Sequence, residues 1–355
     1  MEHSEASQRL LLSDCMDSII TIQKLGNNGS LIFEFLPYIG IIISGVLDSF
    51  DGNQQVRWHS EEIRKIMKIR AETKVINKVN KTVESVSESI SLFDDYLTKD
   101  YNSFQNMFIN VFGQDNFGCY KFENVYVGNT FRANMIVNNL IHELDNGEEL
   151  KGFGEIMTQI ICTYLRENGF VIPTNIPMVE INIKDEDYRF SLENRMKLFG
   201  NDVDNDINII LFNILCGINY VLAILPQVLS KETNLYKRIV SICCYSSVQA
   251  LGKLMRTDEQ SSRYYGAVER KEEITIIIDS INKLYTSSLR NNIFHYGIRE
   301  NDLQMIRKEI SFLFGLVEEN IDISVCEFVQ NQEKILLRVR KIITDWLQIK
   351  STEHV

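Results

Sequence analysis

Apolar residues recur at steps of three and four through most of the last third of the chain, the spacing of one buried helix face. Helices are predicted over Asp206–Leu229, Asn234–Met255, Val268 to about Phe294, Asp302–Asn320 and Glu333–Ile349. The third carries a stripe at Ile274, Ile277, Ile278, Ile281, Leu284 and Tyr285; the last carries one at Ile335, Leu336, Val339, Ile342, Ile343 and Trp346. Five helices joined by short links make a bundle. Further upstream, about Ser60–Lys99 contains neither Gly nor Pro, opens with Ser60-Glu61-Glu62, and repeats apolar residues at Ile76, Val79, Val83, Val86, Ile90 and Phe93. That pattern predicts one long helix, packed on another helix of the chain or in a short coiled coil. Leu31–Leu47 is apolar in a way that leaves helix and strand both open. Lys121–Val127 and Met178–Lys184 show the alternation of strands, and Glu155–Asn168 reads as a helix closed by Gly169. Pro173 and Pro177 mark a loop. The expected fold is mainly α: an N-terminal, mostly helical domain with some short strands over 1–195, and a five-helix bundle over 196–355.

Charge narrows the possible partners. The 355 residues carry a formal net charge of −11, so a surface that coats duplex DNA nonspecifically is excluded and any nucleic-acid contact must be local. The predicted long helix reverses the sign locally, with Arg64, Lys65, Lys68, Arg70, Lys74, Lys78 and Lys81 along its first half. A solvated helix face is the commoner meaning of such a run. The functional meaning is an RNA-facing strip, with Arg64, Lys65, Lys68, Arg70 and Lys74 as its candidates. Seven cysteines with no C-x-x-C spacing point to a reducing cytoplasm and no disulfide framework. The first residues lack the basic start and apolar core of a signal peptide. Of two apolar stretches, Phe35–Leu47 is too short to span a membrane and contains Pro37. Ile207–Leu229 is long enough, but Asn208, Asn213 and Asn219 interrupt it, so it reads as a buried bundle helix.

Candidate chemistry sits at the end of the third bundle helix, in Ser288-Leu289-Arg290-Asn291-Asn292-Ile293-Phe294-His295-Tyr296-Gly297. Arg290 precedes His295 by five positions and Asn291 follows the Arg directly. This resembles the HEPN superfamily (higher eukaryotes and prokaryotes nucleotide-binding), whose signature is Arg, four to six residues, then His, with a polar residue often after the Arg. The resemblance covers roughly 200–350. It implies a bundle of four or five helices, a motif at the end of a late helix, and a homodimer or higher even oligomer in which two motifs share a cleft. It further implies RNA cleavage to a cyclic phosphate with no metal and no cofactor. Families of this kind often act as toxins or abortive-infection effectors against phage, which implies an antitoxin or defence partner protein.

The residue types suit that chemistry. In RNA the 2′-hydroxyl is the nucleophile, so the protein must move protons and steady the phosphorane charge. The unperturbed pKa of a histidine such as His295 lies near neutrality, and the fork of Arg290 can bond two phosphate oxygens while staying charged. Asn291 would orient the histidine or the phosphate. On an unbroken helix Asn291 and His295 share a face, while Arg290 points about 140° away from His295. Either the helix ends inside the motif or Arg290 reaches around. The competing reading is a noncatalytic helical interaction module, with Arg290 and Asn291 capping a helix and His295 in the core. A membrane protein using Ile207–Leu229 is a weaker third. Other motifs fail: Asp202-x-Asp204-x-Asp206 lacks the Gly and Glu of a calcium loop and reads as an acidic helix start. His142-Glu143 lacks the second His of a zinc protease, and Lys184–Asp187 reads as a solvated turn.

Overall fold

In α1 (Glu5–Leu25), Leu10, Leu11, Cys15 and Ile19 are buried on one face, and Gly26 at φ +57° closes the helix in a conformation that favours glycine. The structure is a computed structural model and describes residues 5–50, 60–73, 79, 81–84, 86–88, 114–140, 147–190, 198–260, 264–296 and 312–349. The fold is mainly helical with a small three-stranded sheet, as the hydrophobic pattern predicts. α2 (Gly29–Phe50) resolves the helix-or-strand ambiguity of Leu31–Leu47 and carries Pro37 inside it. The proline costs about 3 kcal/mol in a helix interior. Burial of Leu31, Phe35, Ile39, Ile42 and Val46, at roughly 1.5–3 kcal/mol per large side chain, outweighs it.

The long helix predicted over 60–99 differs in the structure. α3 runs Ser60–Ala71 and stops at a turn over Glu72 and Thr73. The Thr73 hydroxyl donates to the Arg70 carbonyl at 2.7 Å, offering that carbonyl a partner other than the next helical amide. Residues 79, 81–84 and 86–88 are again helical, with Val79, Val83 and Val86 of the predicted seam buried within the chain. Ile76, Ile90 and Phe93 lie outside the described residues.

β1 (Gln114–Phe122) and β2 (Val125–Asn129) form an antiparallel hairpin about Glu123 and Asn124, and β3 (Ile183–Phe190) pairs antiparallel on the other side of β1. β3 starts later than the alternation at Met178–Lys184 suggests. The run Lys184–Asp187, expected as a solvated turn, is strand. Its charges are accommodated because Lys121 on β1 meets Glu186 at 2.7 Å and the Tyr188 hydroxyl donates to Glu186 at 2.7 Å. α4 (Thr130–Leu140) and α5 (Gly147–Glu167) follow the hairpin, and Gly169 at φ +79° closes α5.

The predicted bundle helices are present with changed ends. α6 (Asn205–Asn219) starts behind Asp204, widens into a π turn at Tyr220–Ile224, and finishes at Leu225–Val228. The π turn lies just before Pro226, whose ring and missing N–H disturb the preceding turn. The amides that interrupt this apolar helix each meet a partner: Asn208 pairs with Asn201, Asn213 accepts from Asn129 at 2.9 Å, and Asn219 donates to the Tyr126 carbonyl at 2.8 Å. They pin α6 to the sheet and to the approach of the chain. By length and composition Gly29–Ser49 and Asn205–Val228 are both able to cross a membrane, so the first is longer than the sequence reading allows; in this fold most of each is buried.

α7 (Asn234–Gln260) is the central helix, packed on α1, α6 and the two helices that follow. The third predicted helix is broken. A 3-10 turn at Val268–Arg270 leads into α8 (Lys271–Leu284), and α9 (Ser287–Phe294) restarts after Tyr285 and Thr286. Of the fourth, residues 302–311 lie outside the described residues; Phe312–Gly315 is a 3-10 turn and α10 covers Leu316–Ile321. α11 (Val325–Leu347) begins eight residues before the sequence expectation, capped by Ser324, whose hydroxyl accepts from the Glu327 amide. The buried core is continuous from α1 through the sheet to α11.

Candidate functional site

α9 places the Arg–His motif. Thr286 caps its start by accepting from the Leu289 amide at 3.2 Å. Leu289, Asn292 and Ile293 face the core, which turns Arg290 and Asn291 outward; both are exposed. The helix ends inside the motif. His295 has extended backbone (φ −138°, ψ 148°), and its amide closes the last turn by donating to the Asn291 carbonyl at 2.8 Å. The histidine therefore leaves the helix axis, and the shared face expected for Asn291 and His295 is not formed. Asn291 instead accepts from Arg290 Nη2 at 2.7 Å.

A buried network fixes that helix end. Arg238 on α7 is 1% exposed and Asp14 on α1 is wholly buried. Arg238 Nε donates to Asp14 Oδ2 at 2.7 Å, while its Nη1 donates to the carbonyls of Asn292 and Ile293. Those carbonyls belong to the last turn of α9, which lacks helical partners for them. A guanidinium at a helix C-terminus also meets the negative end of the helix dipole. Tyr296 stacks under the guanidinium, 4.3 Å from ring centre to Cζ, and its hydroxyl donates to the same Asp14 oxygen at 2.8 Å. Burial pushes the Asp14 carboxyl above its ordinary range, and the Arg238 charge and the two hydrogen bonds oppose that shift. α2 crosses so close to this point that a Cβ at Gly45 would overlap the Tyr296 ring. The Arg–His spacing gives no hint of Asp14, Arg238 or Tyr296. Their signal is a charge on an apolar helix face, with Leu235, Ile239 and Ile242 around Arg238, and Leu10, Leu11 and Cys15 around Asp14.

His295 is exposed and meets the basic helix. Arg70 Nη2 lies 2.6 Å from His295 Nδ1, and Arg70 Nη1 donates to Ser44 Oγ at 2.6 Å. Desolvation draws the half-buried Arg70 below its ordinary range, and the Asp48 carboxylate opposes that. Around the pair is an open cleft of about 300 Å³, lined by Ile41, Met67, Arg70, Ala71, Thr73, Phe294 and His295. Arg64, Lys65 and Lys68 of the predicted basic strip do not line this cleft. Ile66 and Ile69 anchor α3, Arg64 and Lys68 are exposed, Lys65 is half-buried, and Lys74 lies outside the described residues. A larger hollow of about 580 Å³ between α8 and α11 is edged by Lys283, Lys334 and Arg338 and contains no motif residue.

Within one chain, then, His295 is joined to Arg70 and Arg290 to Asn291. The arrangement offers an accessible imidazole and two guanidiniums near a helix end, a set able to bind an oxyanion and exchange protons with it. No protein-family model, no curated protein and no solved structure matches this chain.

Proposed function

We propose that the chain is a metal-independent endoribonuclease of HEPN type, with a site made of Arg290, Asn291 and His295 and completed when two copies meet. The observation that carries this reading is the exposure of His295 on a helix end, beside an open cleft, with Arg290 exposed on the last turns of the same helix. A histidine serving only the core would be enclosed.

In the proposed reaction the RNA 2′-oxygen bonds to the adjacent phosphorus and the 5′-oxygen leaves, giving a 2′,3′-cyclic phosphate and a free 5′-hydroxyl. One proton must leave the 2′-hydroxyl and one must reach the 5′-oxygen. Two His295 side chains, one from each subunit, divide these tasks, and Arg290 steadies the added charge on the phosphorane. Asn291, already bonded to Arg290, sets the direction of that fork. The role is a toxin or phage-defence effector in the cytoplasm, restrained by an antitoxin or a defence partner.

His295→Ala should lower cleavage of total cellular RNA by about a hundredfold or more. Equal cutting by parent and variant overturns the assignment. Mixing Arg290→Ala and His295→Ala chains should leave cleavage far below the parent, because every mixed dimer lacks one of the two imidazoles; recovery to roughly a quarter of parent activity would mean that one His295 per site suffices.

A second reading, a noncatalytic interaction module, is favoured by the pairing of both motif side chains inside one chain. Toxicity on expression that disappears with His295→Ala separates the two.

A further inference from the structure

Arg70 lies outside the Arg290–His295 motif, 225 residues from the histidine it meets. A guanidinium has only donors, so while this contact stands His295 Nδ1 is the acceptor. The ring proton is then assigned to Nε2, and a second proton on the imidazole would break the bond. In this arrangement Nδ1 has no lone pair available to take a proton from anything else.

The remainder of the Arg70 fork is anchored. Ser44 on α2 accepts from Nη1. Thr73 holds the Arg70 carbonyl from the other side, so the residue's backbone is fixed by the turn that ends α3. Ile41, Ala71 and Phe294 supply apolar walls, which strengthen a charge-assisted bond made there. The cleft is at the small end for a ligand pocket, suited to one anionic group with part of what carries it.

We propose that Arg70 and His295 form a phosphate subsite, in which one phosphodiester of an RNA strand replaces His295 Nδ1 as the acceptor for Arg70 Nη2. This rests on reading the cleft as part of an RNA-cleaving site and adds a regulation to it. A phosphate brings a full negative charge and two oxygens to the guanidinium fork where the imidazole nitrogen offers one neutral acceptor, so the exchange favours the phosphate. The exchange also frees Nδ1. The histidine becomes able to accept a proton when a strand has arrived, and not before. Arg70 is a binding residue here, and its effect on proton transfer is indirect.

The test is a nuclear magnetic resonance titration of the full chain, following the His295 ring protons, assigned by their loss in His295→Ala. Two probes are used: inorganic phosphate, and a DNA oligonucleotide that has phosphodiesters but no 2′-hydroxyl to cleave. Both should move the His295 signals saturably. Arg70→Ala should weaken both by about tenfold or more, and Arg70→Lys, which keeps the charge but not the fork, by about threefold. If the Ala variant does not fold, the Lys variant carries the test. Equal affinities in parent and Lys variant overturn the subsite. So does a response to inorganic phosphate with none to the oligonucleotide, because the site would then serve a free anion. A protein that binds both probes through Arg70 yet cuts no RNA retains the subsite and loses the nuclease reading. RNA cleavage that depends on His295 but keeps its KM in Arg70→Lys does the reverse.

Discussion

Asp17 on α1 is drawn from water by burial, which raises its carboxyl, and the Asp14 carboxyl one helical turn away adds to the effect by repulsion. Its pKa is pushed up to about 6, with Lys24 pulling the other way. An unfolded Asp titrates near 3.9. The folded pKa is the higher one, so the folded state prefers the protonated acid. Its contribution to stability is complete below about pH 4 and is lost as pH rises through about 6. Asp17→Asn should raise the melting temperature by a few degrees at pH 7.5 and leave it unchanged near pH 4. A gain of the same size at both pH values would mean the charge is not the cause. Single residues of this kind were the least legible part of the sequence. Arg290, Asn291 and His295 stand out because they lie within six consecutive residues. Asp14 and Arg238 are 224 positions apart, and only the fold joins them.

At the scale of elements the apolar periodicity located most helices, and local chemistry moved their ends. Ile274, Ile277, Ile281 and Leu284 are buried as their stripe requires, yet the helix ends one residue later, where Tyr285 takes extended backbone and Thr286 caps the next helix. At Thr73 a side-chain hydroxyl takes up the Arg70 carbonyl, and the charged strand Lys184–Asp187 is paired with β1, which lies more than sixty residues earlier. None of these shows as a period. Packing between elements also reverses an ordinary rule. A Gly in a helix interior costs about 1 kcal/mol relative to Ala, so Gly45→Ala should stabilise α2. Here the new methyl would overlap the Tyr296 ring and come within 3.1 Å of Leu11 Cδ1. We expect Gly45→Ala to lower the melting temperature and to reduce His295-dependent activity together, because Tyr296 adjoins the histidine. A variant more stable than the parent would show that α2 has room to shift.

At the scale of the molecule, the apolar pattern and the loop at Pro173 and Pro177 suggest a boundary between 1–195 and 196–355, and one buried core includes described residues of both parts. Arg238 receives its carboxylate from α1, and Arg70 on α3 reaches the motif histidine. A fragment of residues 196–355 would carry Arg238 without Asp14. Breaking a buried pair costs about 3–5 kcal/mol, a large share of the roughly 5–15 kcal/mol that holds a typical domain together. The fragment should therefore melt broadly and far below the full chain; a sharp transition within a few degrees of the parent would show that the bundle stands alone. The same tie has a consequence for biosynthesis. Asp14 emerges from the ribosome early, but its partners Arg238 and Tyr296 follow 224 and 282 residues later. The first helix must wait, loosely held, while most of the polypeptide is made. The cleft beside His295, whose helix end rests on this tie, cannot take its final form until Tyr296 has been made.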